Sequence, residues 1–79
     1  MKIIIFADYT SKEFNKDFNY ANLLIEKGHN VLLVTNEVQL MSAVNYYDIL
    51  LYGYSYIGQP LKIDIPNMLV GEYMRNNID

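Results

Sequence analysis

Asp8 and Glu72 are the two carboxylates whose positions could do chemistry in this chain. Each follows a stretch that reads as a β-strand, and two acids on one edge can divide general-acid and general-base work. Asp8 could equally receive a ligand hydroxyl or cap its own turn, the ordinary role of an acid just after a strand. Lys12 stands near the start of the first helix, where it could meet a phosphate or simply remain solvated. His29 is the only histidine and there is no cysteine, so disulfides, thiolate nucleophiles and a zinc cluster are excluded and no metal site is expected. His29 lies in a turn at the opposite edge from Asp8 and reads as a structural residue. Tyrosine is abundant, with eight copies. Tyr52, Tyr54 and Tyr56 alternate, which on an extended chain places three rings on one face. Such a face is either an aromatic packing layer or a surface for a partner or a sugar ring.

These residues need elements to position them. Lys2 to Phe6 (KIIIF), Val31 to Thr35 (VLLVT) and Asp48 to Tyr54 (DILLYGY) are apolar runs typical of strands buried on both faces. Between the first two, Ser11 to Lys27 reads as a helix. Thr10 and Glu13 have capping-box spacing, Phe14, Phe18, Ala21 and Ile25 form an apolar stripe, and Gly28 supplies a left-handed stop. Asn36 can cap a second helix from Glu37 to about Val44, with Gln39 at the box position and Val38, Met41 and Val44 on one face. Further on, two readings stay open. Gln59 to Asp64 could form a helical turn, which continues the α/β rhythm, or Leu61 to Ile65 (LKIDI) could form an alternating strand. Pro66 introduces a fourth strand, Asn67 to Val70, ended by Gly71, with a short helix or frayed tail over Glu72 to Asn77.

The expected fold is a single α/β domain over residues 1–79, a small Rossmann-like three-layer sandwich. Its parallel sheet of three to four strands is expected in the order 3-2-1-4. Ligands of such sheets bind outside the carboxyl ends of the strands. That edge collects Asp8, Tyr9 and Lys12 after strand one, Thr35 and Asn36 after strand two, Tyr54 and Ser55 after strand three, and Glu72 after strand four. The first loop, ADYTSKEF, has no glycine to let backbone approach a pyrophosphate, so a dinucleotide fingerprint is absent and no cofactor is expected.

Composition bounds the partners. Hydrophobic residues make up 52% of the chain, enough for a core. Six basic against nine acidic residues give a net charge of −3, which argues against nucleic acid. No apolar run approaches the roughly 18 residues of a membrane span, and the amino terminus does not read as a signal peptide. The default expectation is a soluble, cytoplasmic protein.

With these segments in view, MKIIIFADY, ANLLIEKGHNVLLVT, YDILLYGYS and IPNMLVGEY resemble the amino-terminal Rossmann-like half-domain of GT-B glycosyltransferases. The resemblance runs from about Met1 to Tyr73. It implies an acceptor-side edge of Asp8, Tyr9, Tyr54 and Glu72, and a sugar or nucleotide-sugar ligand. It also implies a carboxy-terminal donor domain that these residues do not supply, so the chain alone is expected not to transfer sugars. Two departures stand out: DYTSKEF replaces the family's glycine-rich first loop, and Glu72 stands where a histidine is often found. The alternative is a stand-alone Rossmann-like binding or regulatory protein, such as a phage-type factor, acting on a protein partner or by self-association through Tyr52, Tyr54 and Tyr56.

Overall fold

The computed structural model describes residues 1–77 of the chain. Ile3, Ile4 and Ile5 lie in strand β1 (Lys2–Phe6) and are fully buried, which requires cover on both faces of the sheet. The chain then runs through α1 (Phe14–Glu26), β2 (Asn30–Val34), α2 (Glu37–Ala43) and a 3-10 turn (Val44–Tyr46). It closes with β3 (Ile49–Tyr52), β4 (Asn67–Leu69) and α3 (Val70–Asn77). All strand pairs are parallel, with Ile3 opposite Val31 on one side and Ile49 on the other, and Leu50 opposite Asn67. The three-layer α/β architecture expected from the sequence is what forms.

The strand order is β2-β1-β3-β4, not 3-2-1-4. All four residues of β3 are buried, whereas β2 begins on exposed Asn30 and is half-buried over Val31 to Leu33. The more apolar strand takes the inner position and β2 takes the edge. The second crossover therefore runs back across β1. Because parallel crossovers are right-handed, the reversal puts α1 and α2 on opposite faces. One core joins Ile3, Ile5, Leu51, Leu24 of α1, and Val70 and Tyr73 of α3. The other joins Ile4, Phe6, Leu50, Tyr52, and Leu40 of α2.

Helix α1 starts at Phe14 rather than Ser11. The Thr10 hydroxyl turns to Asp8, donating at 2.6 Å, the Glu13 amide donates to the Ser11 hydroxyl at 3.1 Å, and Glu13 stands at the N-cap without a side-chain bond. The buried face is Asp17, Ala21 and Leu24, while Phe18 and Ile25 of the expected stripe are half-exposed. A 3.6-residue period admits neighbouring sectors, and packing on the sheet selected the one carrying the acid. At the other end Gly28 adopts φ 95°, as a left-handed stop requires. In α2 the Asn36 carboxamide accepts the Gln39 amide at 2.9 Å, the expected cap, but Leu40 and Val44 face the core while Val38 and Met41 face solvent.

Strand β3 ends at Tyr52, two residues early, because Gly53 to Tyr56 turn, with the Tyr56 amide donating to the Gly53 carbonyl at 3.1 Å. Residues 59–65 form neither the helical turn nor the strand. They run irregularly over the α2 face, where Leu61, Ile63 and Ile65 pack on the core. The alternation of LKIDI thus sorts side chains inward and outward without a ladder. Val70 and Gly71 belong to α3 rather than to β4.

Candidate functional site

The order 2-1-3-4 places the topological switch point between β1 and β3, and a ligand is expected at the carboxyl ends of those two strands. In this protein the chain itself occupies that crevice. Asp17, in the first turn of α1, is fully buried beneath the loop that follows β3. Its carboxylate accepts the Tyr54 amide at 2.7 Å, the Ser55 amide at 2.9 Å and the Ser55 hydroxyl at 2.6 Å. The Ser55 oxygen in turn accepts the Asp8 amide at 2.7 Å. A buried carboxylate is tolerable only with such a set of donors, and bonds to a charged acceptor are the stronger kind. Gly53 completes the arrangement, since a Cβ there would collide with the Asp17 carboxylate. The loop amides that would hold a ligand's anion in an open crevice instead hold an internal one.

The open cavity lies one strand over, at the carboxyl ends of β3 and β4 and the amino end of α3. It has a volume of ≈360 Å³, and its walls include Gly53, Tyr54, Leu69, Gly71, Glu72 and Arg75. Glu72 lies in the first turn of α3 and Arg75 in its last, three residues apart and on one side of the helix. The first amides of a helix have no partners within it, so this end of α3 adds donors to the cavity wall. Tyr54 stacks on Tyr20 with centroids 5.8 Å apart, and the Lys16 ammonium sits 5.0 Å from the Tyr54 ring centroid. Its hydroxyl reaches close to Gly71, where a Cβ would collide with it. The walls thus combine an acid, a guanidinium, a phenol and backbone amides around a small apolar floor. That set suits hydrogen bonding to a hydroxylated molecule.

Of the residues selected from the sequence, Tyr54 and Glu72 meet at this cavity. Ser55 is buried and serves the Asp17 network. Asp8 is exposed and accepts the Thr10 hydroxyl and amide, the turn-capping role. Those two bonds hold its carboxyl below the usual carboxylate range, the hydroxyl contributing more. Asp8 is not a wall of the cavity, so the site gathers one of the two expected carboxylates. Tyr9 and Lys12 are exposed in the same loop. At the end of β2, the Thr35 amide donates to the Gln39 side chain at 3.4 Å and Asn36 caps α2, so both serve local structure.

The three alternating tyrosines do not share a face. Tyr52 is buried, receives the Leu61 amide at 2.7 Å and stacks on Tyr56 at 5.3 Å, while Tyr54 turns to the α1 side. The turn after Tyr52 breaks the extended geometry that alternation requires. Burial raises the Tyr56 hydroxyl above its ordinary value, with Tyr52 adding to the shift. Asp17, Gly53 and Arg75 escaped sequence reasoning. The one available signal was that Asp17, Ala21 and Leu24 also follow helical spacing.

Among the described residues no group of acids and histidine could hold a metal ion, and no helix is long and apolar enough to cross a membrane. The chain matches no family model, no curated protein and no solved structure.

Proposed function

We propose that this chain is a binding domain of the acceptor-side, glycosyltransferase-like kind, which holds a small hydroxylated ligand of the sugar class without transforming it alone. The observation that carries this reading is the ≈360 Å³ cavity whose walls include Glu72, Arg75 and Tyr54. A carboxylate and a guanidinium lining one cavity match the mixed acceptors and donors of vicinal hydroxyls. With Asp8 committed to Thr10, the cavity has a single carboxylate among the described residues, whereas glycoside chemistry ordinarily uses a pair. Binding therefore fits the site better than hydrolysis. The sequence resemblance to the amino-terminal half of GT-B enzymes supports the same ligand class.

The test is an amide-resolved NMR titration with simple sugars and nucleotide-sugars. Shifts centred on Tyr54, Gly71, Glu72 and Arg75 are expected, and Glu72→Gln should remove them while leaving the rest of the spectrum in place. Silence at these positions with millimolar ligand would sink the reading. The alternative of a tyrosine-rich partner surface has less to stand on, because Tyr52 is buried and Tyr56 is partly buried against it.

A further inference from the structure

The sheet has two free edges, and they are built differently. β4 has three residues and follows Pro66, a short edge of the kind that resists strand addition. β2 has five residues, NVLLV, with no charge and no proline. The Asn30 amide donates inward to Met1 at 2.9 Å, and the Val34 carbonyl accepts inward from Ala7 at 2.9 Å. Alternation along the strand therefore leaves the amides and carbonyls of Val31 and Leu33 pointing away from β1.

Helix α1 extends this edge. Its buried face is Asp17, Ala21 and Leu24, and Tyr20 leans toward β3 by stacking on Tyr54. At 100° per residue, Phe18 and Ile25 fall within about 20° of each other and roughly 150° from Tyr20. They face the β2 side, with exposures of 49% and 51%. Asn22 lies between them, so the flank of α1 carries no charge over this stretch.

The geometry points to a self-association surface here: a second copy of this chain pairs with β2 in antiparallel fashion about a two-fold axis at Leu32. In that register Val31 lies opposite Leu33 of the partner, and the two exchange both of their outward hydrogen bonds, as do their symmetry mates. The axis runs perpendicular to the sheet, so the two α1 helices lie on the same face and antiparallel. Phe18 of one copy then approaches Ile25 of the other. A second copy is the occupant because the surface is self-complementary under this one operation, which an isologous contact demands. Charge agrees. Two chains of net charge −3 repel, and an uncharged flank is where their approach costs least.

Size agrees as well. A five-residue strand is about 17 Å long and a helix about 10 Å across, so edge and flank supply on the order of 500 Å² per copy. The total of about 1,000 Å² is near the lower bound for a specific interface, so the dimer should be concentration-dependent. The inference is independent of the ligand reading, because β1 and β3 separate β2 from the cavity edge.

Sedimentation equilibrium on the full chain tests it. The expected mass rises from one chain toward two across micromolar to millimolar concentration. Val31→Pro removes an outward amide without touching the β1 ladder, and Ile25→Lys places a cation on the exposed flank. Each should weaken association about tenfold or more, while Val38→Lys on the outer face of α2 should leave it unchanged. If Val31→Pro does not fold, Ile25→Lys and concentration-dependent exchange protection of the Val31 and Leu33 amides decide the matter. A chain that stays monomeric at about 1 mM, open-ended polymers, or association indifferent to Ile25→Lys would overturn the inference.

Discussion

Asp17 of α1 holds Ser55 at two points: its Oδ2 accepts the Ser55 amide at 2.9 Å and the Ser55 hydroxyl at 2.6 Å. The first helix is thereby tied to the loop after β3, and through the Asp8 amide to the loop after β1. Asp17→Ala would strand the Tyr54 and Ser55 amides in the interior. A loss of about 3 kcal/mol is expected, from bonds to a charged acceptor and the donors left unpaired. Ser55→Ala, which removes one bond and the acceptor of Asp8, should cost about 1–2 kcal/mol. Urea unfolding measures both, and equal effects would show that Asp17 is not the anchor.

Glycines 53 and 71 should separate stability from binding. A methyl group at Gly53 meets the buried Asp17 carboxylate, which its own hydrogen bonds hold in place. Gly53→Ala is expected to destabilise by about 1–3 kcal/mol, the range for overpacking. At Gly71 the obstacle is the Tyr54 hydroxyl, the end of a side chain that can swing. Gly71→Ala should change the unfolding midpoint little and narrow the cavity, so its effect should appear in the sugar titration.

Acidification should loosen the loop after β1. The Asp8 carboxyl lies below its ordinary value of 3.8, chiefly through the Thr10 hydroxyl and then the Thr10 amide. A depressed value means the interaction is fully present above pH 3.8 and is lost as pH falls through the folded value. Carbon-detected titration of Asp8 should give a midpoint below 3.8, and Thr10→Val should bring it part of the way back. An unchanged midpoint in Thr10→Val would contradict the assignment.

At the alkaline end, burial raises the Tyr20 and Tyr56 hydroxyls above 10.0, with Tyr54 adding to the first shift and Tyr52 to the second. The unfolded chain ionises these groups more readily. Their contribution to stability should be level below pH 10 and decline as pH rises toward their folded values. Tyrosinate absorbance should show a delayed fraction that Tyr56→Phe reduces.

The sequence by itself determined most of the elements and the class of fold, though not the irregular run of residues 59–65. KIIIF and the ILLY of β3 are apolar without alternation, Gly28 is a left-handed stop, and Asn36 is a cap, because each depends on neighbours a few residues away. Half of the cavity was legible for the same reason, since Tyr54 and Glu72 follow strands and the ends of parallel strands share an edge. Strand order was not legible. Whether β2 or β1 lies beside β3 depends on relative burial across the whole sheet, not on any local period. The face of α1 was likewise undecided, because Phe18 and Ile25 are as apolar as the sector that was buried, and only the amides of Tyr54 and Ser55 make Asp17 acceptable inside. Tertiary structure also decided where a ligand could go. By filling the switch-point crevice with its own carboxylate, the chain moved the open space to β4 and α3.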